Sequence, residues 1–175
     1  MNHFSRFWTF LLLSLTVACA QDQQQQPPCS TGEYRQFDFW VGEWNVFNNT
    51  NGQPGDPAGS SKIEMILDNC ALQESYSGQP DKVTGQSYNT YSSQDGKWHQ
   101  GYVDAFGTWL HLEGSFENGV MDLRRQYPSQ QNPDAMVTER ITWQILDGNP
   151  DQVRQHWQWA IDGETWNTIF DGIYI

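Results

Sequence analysis

Residues 84–105 read TGQSYNTYSSQDGKWHQGYVDA, and this stretch decides the fold class. On both sides of Asp95-Gly96, the character of the side chains alternates from one residue to the next. Every second residue would then lie on the same face, and this period of two is that of a β-strand. Asx-Gly pairs favour the positive φ angles of a tight hairpin turn. The stretch therefore predicts two antiparallel strands, 84–93 and 97–105, joined by a hairpin.

The same pattern continues along the rest of the chain. Further Asx-Gly pairs separate alternating segments, and segments with helical periodicity are scarce. Because no connection is long enough for a parallel crossover, the strands are expected to form an up-and-down meander. The other turn pairs are Asn51-Gly52, Asn118-Gly119, Asp147-Gly148 and Asp162-Gly163. The other predicted strands lie near 42–49, 60–68, 71–78, 108–116, 119–127, 135–147, 152–161 and 165–174.

A meander of about ten strands has two sheet edges that must be protected. Closure into a barrel removes both edges, and a two-sheet sandwich is the main alternative. Before the first strand, Phe37, Trp40 and Val41 have helical spacing, so a short helical turn could cover one barrel end. The predicted fold is therefore all-β, a closed up-and-down antiparallel barrel of about ten strands with a short N-terminal helical turn plugging one end.

The N-terminal residues predict export. Arg6 precedes an apolar segment at 7–17, and Ala18-Cys19-Ala20 fits the small-residue pattern that signal peptidase recognises. The alternative is lipidation of Cys19, because the preceding residues also resemble a lipobox. The localisation is then periplasmic or extracellular, with an outer-membrane lipid anchor in the second case. The predicted organisation is a signal peptide at 1–20, a Gln- and Pro-rich tether at 21–33 and a barrel domain at 34–175.

The chain has three cysteines. Once Cys19 is removed or lipidated, Cys29 and Cys70 remain, and two such cysteines usually pair in an oxidising compartment. Two unpaired buried thiols are the alternative. A disulfide would close a loop of roughly forty residues and contribute about 3–4 kcal/mol in the chain-entropy account.

Composition limits the partners. The net charge of −12 repels phosphate backbones and anionic lipid headgroups. Nucleic acid is therefore not expected as a partner, and a membrane is expected only through a lipid anchor. The oligomeric state does not follow from the sequence.

The residues FDFWVGEW at 37–44 resemble the FDFWxGEW signature of an uncharacterised family of exported bacterial proteins. The resemblance extends over 29–175. This family has no assigned biochemistry, so the resemblance implies export and no particular activity. The other segments that fit its pattern are 68–74, 85–91, 97–104, 140–143, 153–157 and 170–174.

Gly42-Glu43-Trp44 is also similar to the Gly-x-Trp motif at the start of the first strand in calycins, which include lipocalins, fatty-acid-binding proteins and nitrobindin-like haem proteins. This resemblance implies a barrel with a small-molecule cavity. In lipocalins the tryptophan packs under an arginine from a late strand, and Arg140 or Arg154 would take that role here.

The sequence contains few motifs of enzyme chemistry. It has no nucleophile elbow, phosphate-binding loop or zinc-protease helix motif. His111 and Glu113 share a strand face, but no third ligand is evident, so no metal is predicted. No cofactor is predicted either, with haem bound by His156 as the alternative. Successive side chains of a strand point to opposite faces, so if Trp157 points into the barrel, His156 points to solvent and cannot bind a haem inside it.

Alternation places polar side chains on the same strand faces as large aromatic side chains. If these faces line the barrel, the interior is an aromatic cavity with several hydrogen-bonding groups, which suits an amphipathic or aromatic ligand. The predicted ligand-binding residues are Glu74, Ser87, Asn89, Gln100, Tyr102, Asp104, Gln155 and Trp157.

The leading hypothesis is a small-molecule-binding protein of the cell envelope, and an enzymatic function is not favoured. One alternative is an enzyme acting on a small molecule through Glu74 or Asp104, which would be the acid/base candidates if both are buried, because burial raises a carboxyl pKa. The other is a packed interior whose polar groups satisfy one another, with a structural or interaction role.

Overall fold

The computed structural model describes residues 27–80, 82–161, 163 and 165–175. The predicted signal peptide and Cys19 lie outside the described residues. Two short 3₁₀ helices, Gly32–Arg35 and Asp38–Trp40, precede the strands. The strands are β1 (Gly42–Thr50), β2 (Gln53–Ile66), β3 (Ala71–Gly78), β4 (Thr84–Ser92), β5 (Lys97–Asp104), β6 (Trp109–Glu117), β7 (Val120–Pro128), β8 (Met136–Leu146), β9 (Asn149–Ala160) and β10 (Asn167–Tyr174).

The ten strands form a closed barrel. Each strand pairs antiparallel with its neighbours in sequence, and β1 pairs with β10 to complete the circle. At this seam Val46 lies opposite Tyr174. The predicted up-and-down barrel is therefore confirmed, and the two-sheet sandwich is excluded. Inward aliphatic side chains such as Ile63, Leu72 and Leu123 are at most 1% exposed and form the core.

Three of the predicted hairpin turns have the expected geometry. Asn51 and Gly52 have φ angles of 54° and 84°, and the pairs at 118–119 and 147–148 likewise have positive φ at both residues. The turn at Asp95-Gly96 differs, because only Gly96 has a positive φ. Its N–H donates to the carbonyl of Ser92, which gives a longer connection. Asp162 of the fifth pair lies outside the described residues.

Strand β2 begins at Gln53 rather than near residue 60. The early part of this strand contains two prolines, which cannot donate to a ladder and normally mark loops. Here the β1–β2 register shifts between Val46 and Phe47 and again between Phe47 and Asn49. These irregularities accommodate Pro57 opposite Phe47, so a segment with loop composition continues the sheet.

The 3₁₀ helices cover one end of the barrel, as predicted. Phe37 and Trp40 are fully buried and stack on each other with ring centroids 5.0 Å apart. Phe37 also makes edge contacts with Trp98 at 5.6 Å and with Trp143 at 5.2 Å. Val41 does not join this cluster, because it is 37% exposed. This end is therefore closed by an aromatic cluster.

The predicted disulfide joins Cys29 to Cys70. It ties the segment before the 3₁₀ helices to the β2–β3 connection, where the Arg35 guanidinium also donates to the Asn69 carbonyl. Cys29, which lies within the predicted tether, is thus held against the barrel. Disulfides of this kind are typical of exported proteins. Among the described residues, no helix has the length and apolar character needed to cross a membrane.

Gly42 and Trp44 have structural roles at the start of β1. Gly42 has a φ of 152°, and a Cβ there would lie 3.2 Å from the Trp44 ring nitrogen. That nitrogen donates to the Trp40 carbonyl at 2.9 Å. Both candidates for the arginine expected over Trp44 have other partners. The Arg140 guanidinium lies 4.4 Å from the centre of the Trp166 ring, and Arg154 binds the Asp171 carboxylate.

Candidate functional site

A cavity of about 550 Å³ occupies the barrel interior. Trp98, in the aromatic cluster, lies near the start of β5, whereas the cavity reaches Asp104 at the end of the same strand. The lining also includes Gln79 and Thr108 from strand connections at that end. The cavity therefore opens away from the closed end, and its volume is in the range of ligand pockets.

The structure brings six of the eight predicted ligand-binding residues to the cavity wall. Ser87 and Asn89 are fully buried but lie behind that wall, where they support other side chains. Direct contact of these two with a ligand is therefore not supported. The six that line the cavity are Glu74, Gln100, Tyr102, Asp104, Gln155 and Trp157.

Glu74 is a buried carboxyl whose hydrogen-bond partners are neutral hydroxyl groups. It lies opposite Ser87 on β4 and is 5% exposed. The Ser61 hydroxyl donates to Oε1 and the Ser87 hydroxyl to Oε2, each at 3.0 Å. Burial raises the pKa of Glu74 to about 7, although the hydrogen bonds from Ser87 and Ser61 oppose this rise. Glu74 therefore holds its proton to a higher pH than an ordinary glutamate does.

A chain of hydrogen bonds extends from Glu74 across β4 to β5. Ser87 donates to Glu74 and accepts from the Asn89 amide at 3.1 Å, and Asn89 Oδ1 accepts from Gln100 Nε2 at 2.9 Å. While Glu74 is ionised and can only accept, this sequence of donors fixes the orientation of both amides, since the Asn89 amide nitrogen is already used. As a result Gln100 Oε1 is left buried without a hydrogen-bond partner.

A second unpaired polar atom lies on the cavity wall. Trp157 Nε1 is buried and has no hydrogen-bond acceptor. Buried polar atoms in native proteins nearly always have a partner, so each exception requires an explanation. Gln100 Oε1 needs a donor and Trp157 Nε1 needs an acceptor.

Aromatic rings form much of the remaining wall. Tyr102 packs edge-on against Trp157 with centroids 6.2 Å apart, and Tyr76 packs similarly against Phe170 at 6.4 Å. The Tyr174 hydroxyl donates to Gln155 Oε1. Burial raises the pKa of Tyr76, Tyr102 and Tyr174 above that of a free tyrosine. These hydroxyls therefore stay neutral and can donate hydrogen bonds.

Asp104 does not form a buried acid–base pair with Glu74. Its carboxylate accepts hydrogen bonds from the backbone N–H groups of Phe106 and Thr108, each at 2.9 Å. Slight burial acts to raise the pKa of Asp104, but hydrogen bonds from Thr108 and Phe106 outweigh it and the pKa is lowered. Asp104 is thus a permanent anion at the cavity mouth that holds the β5–β6 connection. Glu74 and Asp104 were candidates for acid and base only if both are buried, and Asp104 does not meet this condition.

The haem alternative is contradicted by the position of His156. Its ring lies on the outer face, where Nε2 is 3.0 Å from the Thr168 hydroxyl and Nδ1 is 3.3 Å from the Arg154 guanidinium. Its neighbours Gln155 and Trp157 face the cavity, as alternation requires. Among the described residues, no histidine lines the cavity.

A histidine pair on the outer face was not predicted. His99 Nδ1 lies 3.2 Å from His111 Nε2, and His99 Nε2 lies 3.0 Å from the Asp95 carboxylate. The two ring planes differ by 1°, with centroids 5.4 Å apart. These values fit an in-plane N–H···N hydrogen bond, and Glu113 is paired with Lys97. The cluster has potential metal ligands, but their contacts already satisfy one another.

Sequence reasoning also missed Ser61 and Tyr174. Ser61 lies in a run of small residues, and Tyr174 reaches the cavity only because β10 pairs with β1. No local signal in the sequence marks either residue as a neighbour of Glu74.

Neither a model of a known protein family nor a curated protein matches this chain. The function is therefore argued from the geometry of the cavity.

Proposed function

We propose that this protein binds an amphipathic small molecule with an aromatic or otherwise apolar body inside its barrel cavity. The observation that carries this proposal is a cavity of about 550 Å³ whose wall includes Gln100 and Trp157, two side chains that each have a buried polar atom without a partner in the protein. An unsatisfied buried polar group costs about 1–3 kcal/mol. A ligand that supplies one donor and one acceptor recovers that free energy on binding.

The cavity also favours binding over the two alternatives. A fully packed interior would leave no room for a ligand, whereas this interior is open at one end. For an acid–base enzyme, Asp104 is unsuitable as the acid because turn N–H groups hold it as an anion. The hydroxyls of Ser61 and Ser87 lie outside the cavity lining and donate to Glu74. We therefore favour a binding function over an enzymatic one.

Export is part of the proposal. The disulfide between Cys29 and Cys70 supports an oxidising compartment. A ligand-binding role in the cell envelope combines this compartment with the cavity.

The test is a thermal-shift and native mass-spectrometry screen with lipids, flavins, haem and small aromatic compounds, followed by titration of the compounds that bind. Trp157→Phe keeps an aromatic ring but removes the N–H group together with the five-membered part of the indole, so the side chain also becomes smaller. Trp143→Phe is the matched control, because Trp143 is also buried with an unpaired ring nitrogen but lies in the closed-end cluster.

For a compound that binds the wild type, we expect Trp157→Phe to weaken affinity about fivefold, which corresponds to one net hydrogen bond of ~1 kcal/mol. The Trp143→Phe variant should bind as the wild type does. If no compound of the screen binds, or if both variants lose affinity equally, the cavity is not the binding site and the proposal is wrong.

A further inference from the structure

The cavity contains a buried acid for which the protein supplies no cation. Ser61 on β2 and Ser87 on β4 contact Glu74 with neutral hydroxyls. The titratable groups that act on it electrostatically are the hydroxyls of Tyr76 on β3, Tyr102 on β5 and Tyr174 on β10. No lysine or arginine in the described part of the chain forms an ion pair with Glu74. The single lysine in the lining, Lys82, is exposed in the β3–β4 connection.

Another inward carboxylate of the same barrel shows the contrast. Glu139 is 6% exposed, and the Arg125 guanidinium donates to its Oε2 at 2.7 Å. The Tyr127 hydroxyl donates to its Oε1 at the same distance. This acid therefore has both a cation and a hydroxyl within the protein. Glu74 has the hydroxyls without the cation.

A buried carboxylate without a counter-charge is unfavourable, because desolvation is not offset by an ion pair. The missing positive charge can come from a proton or from a bound molecule. The carboxyl that lacks a positive charge and the amide oxygen that lacks a donor belong to the same cavity wall, because Glu74 and Gln100 both line it. An ammonium group has several N–H donors and a positive charge, so it suits both atoms.

The rest of the wall also suits a cation. Trp157, Tyr102, Tyr76 and Phe170 present aromatic rings, whose negative faces attract ammonium groups. Asp104 adds a permanent negative charge at the mouth, and the chain as a whole carries −12. Such a field concentrates cations near the opening and repels anions.

We propose that the ligand is a small organic cation, an amine on an apolar or aromatic body, whose ammonium group pairs with Glu74 and donates to Gln100. This inference rests on the proposed binding function and adds the chemical class of the ligand. The same charges disfavour carboxylate, phosphate and sulfate compounds.

The proposal has a definite pH dependence. Because burial raises the pKa of Glu74 to about 7, the empty protein carries a proton there in mildly acidic solution. An ammonium ligand must displace this proton, so its affinity should rise as the pH rises through neutrality. Between about pH 6 and about pH 8 the ionised fraction of a group with this pKa changes roughly tenfold, and the affinity should follow it. A neutral ligand bound through a protonated Glu74 would show the opposite trend.

The experiment uses matched compounds on three bodies, namely indole, naphthalene and an octyl chain, each carrying a primary amine, a primary amide or a carboxylate. Affinities are measured by calorimetric titration near both pH values. We expect at least one amine to bind about tenfold or more tightly than its amide and its carboxylate near pH 8, and to lose about tenfold near pH 6.

Two variants locate the charge. Glu74→Gln removes the carboxylate, and it should abolish the preference for the amine over the amide. Glu64→Gln makes the same change in net charge at an exposed position on β2, where Glu64 pairs with Lys62. This control should keep the preference unchanged.

The outcomes separate the two proposals. If amides bind as well as amines, or if Glu74→Gln keeps the preference, the cation proposal is wrong while the binding function stands. The same conclusion follows if none of the amines binds but other compounds of the first screen do. If nothing binds in either experiment, both proposals fail together.

Discussion

Replacing Glu74 by glutamine should change how the stability of the empty protein depends on pH. Glutamine has nearly the same shape as glutamic acid and can exchange hydrogen bonds with the hydroxyls of Ser61 and Ser87. It has no proton to lose. The substitution therefore removes the titration of this group while it leaves the packing of the cavity wall nearly unchanged.

The sign and size follow from the pKa of Glu74, which burial raises from 4.5 to about 7. Between these two values the native state holds a proton that the unfolded chain has lost, so the free energy of unfolding falls as the pH rises. The stabilisation is fully present below about pH 4.5 and is lost once the pH exceeds about 7. A tenfold difference in proton affinity is worth about 1.4 kcal/mol, so this rise in the pKa contributes about 3 kcal/mol in total.

The measurement is urea unfolding followed by tryptophan fluorescence, at several values between about pH 4.5 and about pH 8, for the wild type and Glu74→Gln. Other groups titrate in this interval, but they are the same in both proteins and cancel in the difference. We expect the stability of the variant relative to the wild type to improve by about 3 kcal/mol from the acidic to the basic end. Glu64→Gln, which changes an exposed carboxylate, should show no such trend.

A stability difference that stays constant over this pH interval would refute the argument. It would mean that the Glu74 carboxyl ionises in the native state at the pH of an ordinary glutamate. The cavity would then be wetter or more polar around this group than its burial indicates.

Three further predictions concern the scaffold. Replacing Cys29 and Cys70 together by serine should lower the free energy of unfolding by roughly 4 kcal/mol, measured in urea against the wild type under non-reducing conditions, and an unchanged midpoint would contradict the stabilising role of the bridge. Gly42→Ala should cost about 1–3 kcal/mol because of its φ of 152°. Gly32→Ala, which meets no atom within 4 Å, is the control, and equal losses would argue against backbone strain. Glu139→Gln should cost about 3 kcal/mol, because it leaves a partly buried arginine without its counter-charge; thermal unfolding with no loss would contradict that assignment.

The sequence predicted the scaffold well because its signals are local. Alternation in a stretch such as 97–105 and the φ preference of Asn51-Gly52 depend on neighbouring residues alone, so strands and turns follow directly. The prediction was poorer where tertiary pairing outweighs composition. β2 is longer than its prolines suggest, because bulges in the ladder with β1 accommodate them.

The chain by itself also determined which side chains share a face, and hence that Glu74, Gln100 and Trp157 point into a common space once the barrel closes. It did not determine what each of them meets there. Tyr174 reaches Glu74 across the β1–β10 seam. Asp104 is drawn into its own turn instead. Side-chain direction is fixed by a strand's own period, whereas partners depend on register and closure, which only the complete tertiary structure decides.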